Sequence, residues 1–400
     1  MVILRRFVSE LFMKTFFNRL VSVKKMFDKE FFEKLLNLKV SNLKIENACE
    51  IGENFVSKVE RIFIYGIKND IDFQTSLILK TFSTNPATQS HNFDKQFQNE
   101  SIFYKTILNL LNKYSRSTLK TPKCFYNDEK HLIFEDLTLD GFKTKPKGHR
   151  FDLNEAKLVI IEISKMHSAS LSLQIKDSKS FFEVLSNLHS FMNKEGNQLL
   201  EKCYLDHLNT SIKIFEENSE IVTFLKNLKE NVYSKVIEIF EKPTEIKVLN
   251  HGDLWGNNIF FKNDVDIKII DFQMLHYGSP AMDLVYFLWI NLDSENRKTN
   301  FKELLECYIE NLKRFSFEND IDSNLINKMT LQWIQNEMKT FTLYGMLCCF
   351  IFLPVFYINL DDISRNYHLD NVYMKLMNDS YKENMINAVR DFIHFQNYHF

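Results

Sequence analysis

Residues 251–273 constrain the fold of this chain more than any other stretch. The run His251-Gly-Asp-Leu-Trp-Gly-Asn-Asn258 reads as a turn carrying one carboxylate and one carboxamide. Ile259-Phe260-Phe261 and Ile267-Lys268-Ile269-Ile270 then read as two short apolar strands joined by a polar turn at Asn263-Asp264. A hairpin of that length returns the chain to where it began, so Asp271 is predicted to lie beside Asn258. Asp253 and Asn258 are five residues apart, and Asp271 follows thirteen residues later. Their side chains offer hard oxygen donors, which suit Mg²⁺ and not Zn²⁺. Phosphoryl transfer needs this set. Asp253 can accept a proton from an attacking hydroxyl, while Asn258 and Asp271 can hold metal ions that bridge nucleotide phosphates.

The Asp-x-x-x-x-Asn spacing is also that of the protein-kinase catalytic loop, and further elements stand where such a cleft needs them. Lys80 lies in the apolar run Leu77-Ile-Leu-Lys80, where a lysine is costly unless paired. Glu100, on the following helix, is the natural partner in a phosphate-anchoring pair. Simple strand alternation would instead put Lys80 on a solvent face. Gly52-Glu-Asn-Phe-Val-Ser57 precedes the first strand. Asn54 and Ser57 within it could form a phosphate-covering turn through backbone N–H groups and the Ser57 hydroxyl. Glu135-Asp-Leu137 ends a strand, either as a hinge whose backbone meets an adenine edge or as a plain strand end. In Gly278-Ser-Pro-Ala-Met-Asp283, Ser279 and Pro280 suit a helix start. Asp283 adds first-turn charge or braces the loop. His251 is a candidate catalytic group, either as general base or as a side chain that orients the loop.

Along the chain, residues 28–47 show a helical pattern (Phe31, Phe32, Leu35, Leu36, Leu38). From 55 to 82 the pattern alternates as two strands with a turn at Gly66–Asp70, followed by a helix over 93–113 and strands at 124–126 and 131–135. After Leu137 the pattern turns helical: from Asp152 or Asn154 to about Leu173, then over 179–192, 196–216 and 219–240. A short strand at 246–249 leads into His251. This predicts an α+β, two-lobed fold: a basic extension over 1–27, a β-rich nucleotide-binding lobe over 28–137, and a mainly helical lobe over 138–400 with the catalytic loop and acceptor-binding helices. The cleft falls near 136–140.

Composition excludes some classes. Net charge is −2, so no basic field marks a nucleic-acid binder. The six cysteines form no CxxC pair and read as reduced, mostly buried thiols of an intracellular, cytoplasmic protein. Nine glycines occur where average usage predicts about 28. Gly52, Gly252, Gly256 and Gly278 fall in the segments above and are therefore predicted to serve tight turns or close approaches. The apolar stretch Leu343–Leu360 is interrupted by Gly345 and Pro354 and reads as a buried helix ending at Pro354, not a membrane span. The first 26 residues are basic and amphipathic. They suit a transit peptide, an interfacial helix, a poorly packed helix, or an upstream start before Met26.

With these residues in place, the chain resembles the ecdysteroid kinase-like family, within the aminoglycoside and choline phosphotransferase superfamily and its protein kinase-like fold. The resemblance runs from about Gly52 to about Leu360. It is carried by the motifs above together with Met166-His-Ser-Ala169 and Tyr277-Gly-Ser-Pro-Ala-Met-Asp-Leu-Val-Tyr-Phe-Leu288. Asp-Phe-Gln at 271–273, with Trp255, points to this family and away from choline kinases and aminoglycoside enzymes. The resemblance implies ATP as donor, Mg²⁺, and a small-molecule hydroxyl acceptor, steroid-like in some members. It makes Asp253 the base, Asn258 and Asp271 the metal ligands, and Lys80 with Glu100 the phosphate anchor. Gly256 and Phe260 stand where other side chains are common. Other acceptors (choline, ethanolamine, a dietary toxin) remain open, as does a non-catalytic nucleotide-binding module. The oligomeric state is not readable.

Overall fold

The computed structural model describes residues 26–48, 57–82, 93–190, 198–217, 219–357 and 379–397. In the N-terminal part, α1 (Lys29–Leu36) leads into β1 (Lys39–Asn47), β2 (Ser57–Lys68) and β3 (Ile71–Phe82). Then come α2 (Phe93–Ile102), a π-helical turn (Phe103–Ile107), α3 (Leu108–Tyr114), β4 (Cys124–Asn127) and β5 (His131–Glu135). The five strands form one antiparallel sheet in the order β1-β2-β3-β5-β4. A small cluster of Phe27, Phe32, Ile62, Ile64, Leu77, Leu79 and Ile133 fills one face of the sheet under α1. Ile78 and Phe134 pack instead into the large core shared with the helices beyond.

The remainder is mostly helical. A two-residue strand β6 (Lys143–Thr144) is followed by α4 (Leu153–Lys176), α5 (Ser178–Asn187), α6 (Gln198–Ile214), α7 (Ser219–Lys229) and α8 (Val232–Glu241). Three short strands carry the site: β7 (Val248–Asn250), β8 (Ile259–Lys262) and β9 (Asp266–Ile269). β10 (His276–Gly278) then pairs back onto β7. The helices α9 (Ala281–Asn291), α10 (Ser294–Glu318), α11 (Ser323–Lys328), α12 (Leu331–Tyr357) and α13 (Asp379–Asn397) complete the chain. A β-rich lobe and a larger helical lobe thus form the α+β, two-lobed arrangement that the sequence predicts. Asp152 caps α4 through a full capping box with Glu155, as its position before the apolar run suggests.

Several elements differ from expectation. The helix predicted over 28–47 stops at Leu36, because Asn37 adopts a left-handed cap (φ 52°), and residues 39–47 form strand β1. The turn predicted at 66–70 narrows to Asn69-Asp70, both left-handed, the geometry a two-residue hairpin requires. The stretch 219–240 divides into α7 and α8. The buried helix expected from about Leu343 to Pro354 begins at Leu331 and runs past Pro354 to Tyr357. Gly345 does not interrupt it. A Cβ there would meet the Val285 carbonyl oxygen at 2.7 Å, so the glycine lets α12 lie against α9 backbone to backbone. Among the described residues, no helix is long and apolar enough to cross a membrane. The basic stretch 1–25 lies outside those residues, as do Gly52 and Asn54.

Candidate active site

β7 ends at Asn250 and releases the loop that opens with His251. Gly252 takes φ 83°, and a Cβ there would meet the Met274 carbonyl oxygen at 2.2 Å, so this position requires glycine. Gly256 differs from expectation, since a Cβ there would meet nothing closer than 3.7 Å. The Asn258 amide closes the loop, donating to the Asp253 carbonyl oxygen at 2.9 Å and to Asp253 Oδ2 at 3.0 Å. The predicted hairpin forms, with Ile259 opposite Ile269 and the Ile270 N–H bonded to the Asn258 carbonyl at 3.0 Å. It returns the chain to Asn258, and Asp271 follows in a left-handed conformation (φ 67°).

Lys80 is buried and bonded to two carboxylates: Nζ lies 2.6 Å from Glu100 Oε2 and 2.8 Å from Asp271 Oδ1. The strand lysine and the helix glutamate therefore pair, and Lys80 does not face solvent. Burial works against the Lys80 charge, but Asp271 and Glu100 outweigh it and hold its pKa above the usual lysine range. Burial pushes Glu100 up to about 7, with Asp271 adding to the rise and Lys80 opposing it. Burial, then the Asp271 charge, pushes Asp253 up to about 7 against hydrogen bonds from Tyr286 and Asn258. Three buried carboxylates thus face one lysine, and the cleft is left negative.

The helix bearing Glu100 is fixed to the Asp271 segment twice. Phe272 stacks on Phe103 at 3.7 Å between ring centroids with planes 8° apart. Asn99 donates to the Gln273 carbonyl at 3.1 Å and pairs with the His189 backbone at 2.9 and 2.8 Å.

His251 uses both ring nitrogens within the protein. Nδ1 accepts from the Asp253 N–H at 3.1 Å, and Nε2 donates to the Ile270 carbonyl at 3.0 Å. Burial lowers its pKa. Beneath it, Asp283 accepts from the His251 and Gly252 N–H groups, each at 2.8 Å, and meets His167 Nε2 at 3.2 Å. Burial alone would raise Asp283, but the bond to His167 and the neighbouring imidazoles bring it below the usual carboxylate range.

The other predicted residues lie around this centre. Ser57 is buried at the start of β2, opposite Phe82. The Glu135 side chain turns to Lys268 and accepts from the Lys123 N–H. Its own N–H donates to Lys123, and the Leu137 carbonyl accepts from the Phe142 N–H, so other backbone groups of this segment would have to meet a base. Between them Asp136 binds Ser76, Arg61 and Thr138 and pins the strand end.

Sequence reasoning missed Tyr286, whose hydroxyl donates to Asp253 Oδ1 at 2.6 Å, and Asn291, which donates to the Leu254 carbonyl at 2.7 Å. The signal was available: Asp283, Tyr286 and Asn291 are the polar positions of a wholly buried helix. Asn99 carried no such signal. Among the described residues, no group of three or more His, Cys, Asp or Glu side chains is placed to hold a metal ion. The donor set here includes the Asn258 amide oxygen.

Comparison with known proteins gives three results. The profile of the ecdysteroid kinase-like family matches residues 51–318. An uncharacterized protein of Metamycoplasma hominis is 22% identical over 266 residues, 62% of this chain and 52% of its own length, so the chain spans about half the length of that curated relative. Among solved structures, APH(2'')-IIa in complex with gentamicin is similar at TM-score 0.41 and 16% identity, over 92% of this chain and 97% of the other. An ethanolamine kinase of Plasmodium vivax gives TM-score 0.41 and 14% identity, over 88% and 81%. The choline kinase LicA of Streptococcus pneumoniae gives TM-score 0.41 and 11% identity, over 93% and 99%.

Proposed function

The chain belongs to the ecdysteroid kinase-like family, and from that membership we propose that it is an ATP- and Mg²⁺-dependent phosphotransferase acting on a hydroxyl of an apolar, steroid-like small molecule. The observation that carries this reading is Lys80 held between Glu100 and Asp271, one hairpin away from the Asp253–Asn258 pair. Lys80 would anchor the nucleotide phosphates, and Glu100 would aim it. Asp253 would take the proton of the acceptor hydroxyl as that oxygen attacks, which needs its ionised form. His251, with both nitrogens engaged, would hold the loop and take no proton. Ser57, with Asn54, would cover the phosphates, and the strand end at Glu135–Leu137 would meet the base.

The residues fit a divalent cation. Asp271 and the Asn258 amide offer hard oxygens, Asn258 directs its N–H₂ toward Asp253, and the cleft carries more carboxylates than cations. When bound, Mg²⁺ would neutralise charge on the phosphate oxygens.

The test is transfer of labelled γ-phosphate from ATP·Mg²⁺ to ecdysone, 20-hydroxyecdysone, choline, ethanolamine and an aminoglycoside, with Asp253→Ala beside the wild type. Labelled ecdysteroid that disappears in the variant is the expected result. Label on another acceptor replaces the substrate and keeps the chemistry. Wild-type turnover in Asp253→Ala removes the assigned base.

A further inference from the structure

We propose that Tyr286 is a positioning residue for Asp253, fixing the carboxylate in the orientation that meets the acceptor hydroxyl. This rests on the reading of Asp253 as base. The Tyr286 hydroxyl donates to Oδ1 at 2.6 Å, and Asn258 donates to Oδ2 at 3.0 Å. Each carboxylate oxygen thus carries one donor, and the side chain is held against rotation. Without the phenol, one oxygen loses its donor and the carboxylate can turn.

Tyr286 is itself held in place. It is 2% exposed, in a helix whose residues are all buried. Three residues earlier, Asp283 binds the His251 and Gly252 N–H groups, and at the helix end Asn291 binds the Leu254 carbonyl. One helix therefore holds residues 251, 252, 253 and 254 in succession. Asp283 and Asn291 grip backbone, whereas Tyr286 grips the reacting side chain. The phenol keeps its own proton throughout, and the acceptor's proton passes to Asp253.

Tyr286→Phe keeps the ring and removes the hydroxyl. We expect kcat to fall about 10- to 100-fold, the worth of a hydrogen bond to a charged group. KM for ATP and acceptor should stay within about threefold, since the contact acts on the chemical step. In an Asp253→Asn background the same substitution should change residual turnover by less than about twofold, because the two residues act as a unit. An unchanged kcat, or an equal loss in both backgrounds, overturns the role and leaves the phosphotransferase reading standing. A Tyr286→Phe chain that no longer folds or binds ATP assigns the phenol to the core and also overturns it. A wild type that transfers phosphate to no acceptor, nor to water, overturns the function and this role together.

Discussion

Asp253 and Lys80 show how burial and charge set behaviour one residue at a time. With its pKa pushed up to about 7, Asp253 is protonated in acid and ionised in base. A base must be ionised to act, so kcat/KM is expected to rise with pH through about 7 and to fall below it. A profile flat from pH 5.5 to 8.5 would remove Asp253 from that role. Asp253→Ala should lower kcat by about 10²- to 10⁴-fold, the contribution of a positioned base. Lys80 answers two buried carboxylates, and Lys80→Met leaves both without a cation. That is expected to cost about 3–5 kcal/mol, measured by denaturant unfolding at pH 8. Burial holds Glu100 up at about 7, so its protonation relieves part of the cost and the gap should narrow at pH 5. The groups legible in the sequence (Asp253, Asn258, Asp271, Lys80, Glu100) announce themselves through local spacing or an out-of-place charge. Tyr286 stands out only as a polar position in an apolar helix, and its partner lies 33 residues away. Asn99 acts through a partner 174 residues away, which no local pattern encodes.

The legible elements are those whose period matches their burial. The hairpin over 259–269, the capped helix α4 and strands β2 to β5 followed from alternation, turn residues and caps, whereas β1 reads locally as helix. The misread ones are those where a neighbour overrides the local signal. Gly345 and Pro354 are helix breakers by propensity, yet α12 runs through both, and at Gly345 it does so packed against α9. Gly345→Ala separates the two effects. Alanine gains about 1 kcal/mol of helix propensity. Its Cβ, however, would stand 2.7 Å from a backbone oxygen that cannot move aside cheaply. The steric term should win, with a net loss of about 1–3 kcal/mol in denaturant unfolding. Because α9 carries Asp283, Tyr286 and Asn291, kcat should fall as well. The π-helical turn at Phe103–Ile107 was likewise invisible in a helical pattern, and it turns both Phe103 and Tyr104 inward.

At the scale of the molecule, two lobes meet around an excess of negative charge, and ligand binding should be felt as stability. ATP at about 100 times its dissociation constant should add about 2.7 kcal/mol when Mg²⁺ is present. Removing the metal with a chelator should abolish most of that gain, because the triphosphate would then face Asp253 and Asp271 with Lys80 alone as counter-charge. An undiminished ATP shift in chelator would separate nucleotide binding from the metal. The lobes are joined at the site by Lys80 and Asp271, which lie 191 residues apart, whereas Glu100 lies 20 residues beyond Lys80. At a synthesis rate of about 5–20 residues per second, that longer interval takes about 10 to 40 s. During it, Lys80 and Glu100 can form a neutral pair in a nascent sheet while Asp271 has not yet been translated. The order in which the ribosome delivers these three residues thus spares the young lobe a buried net charge until the helical lobe arrives to share it.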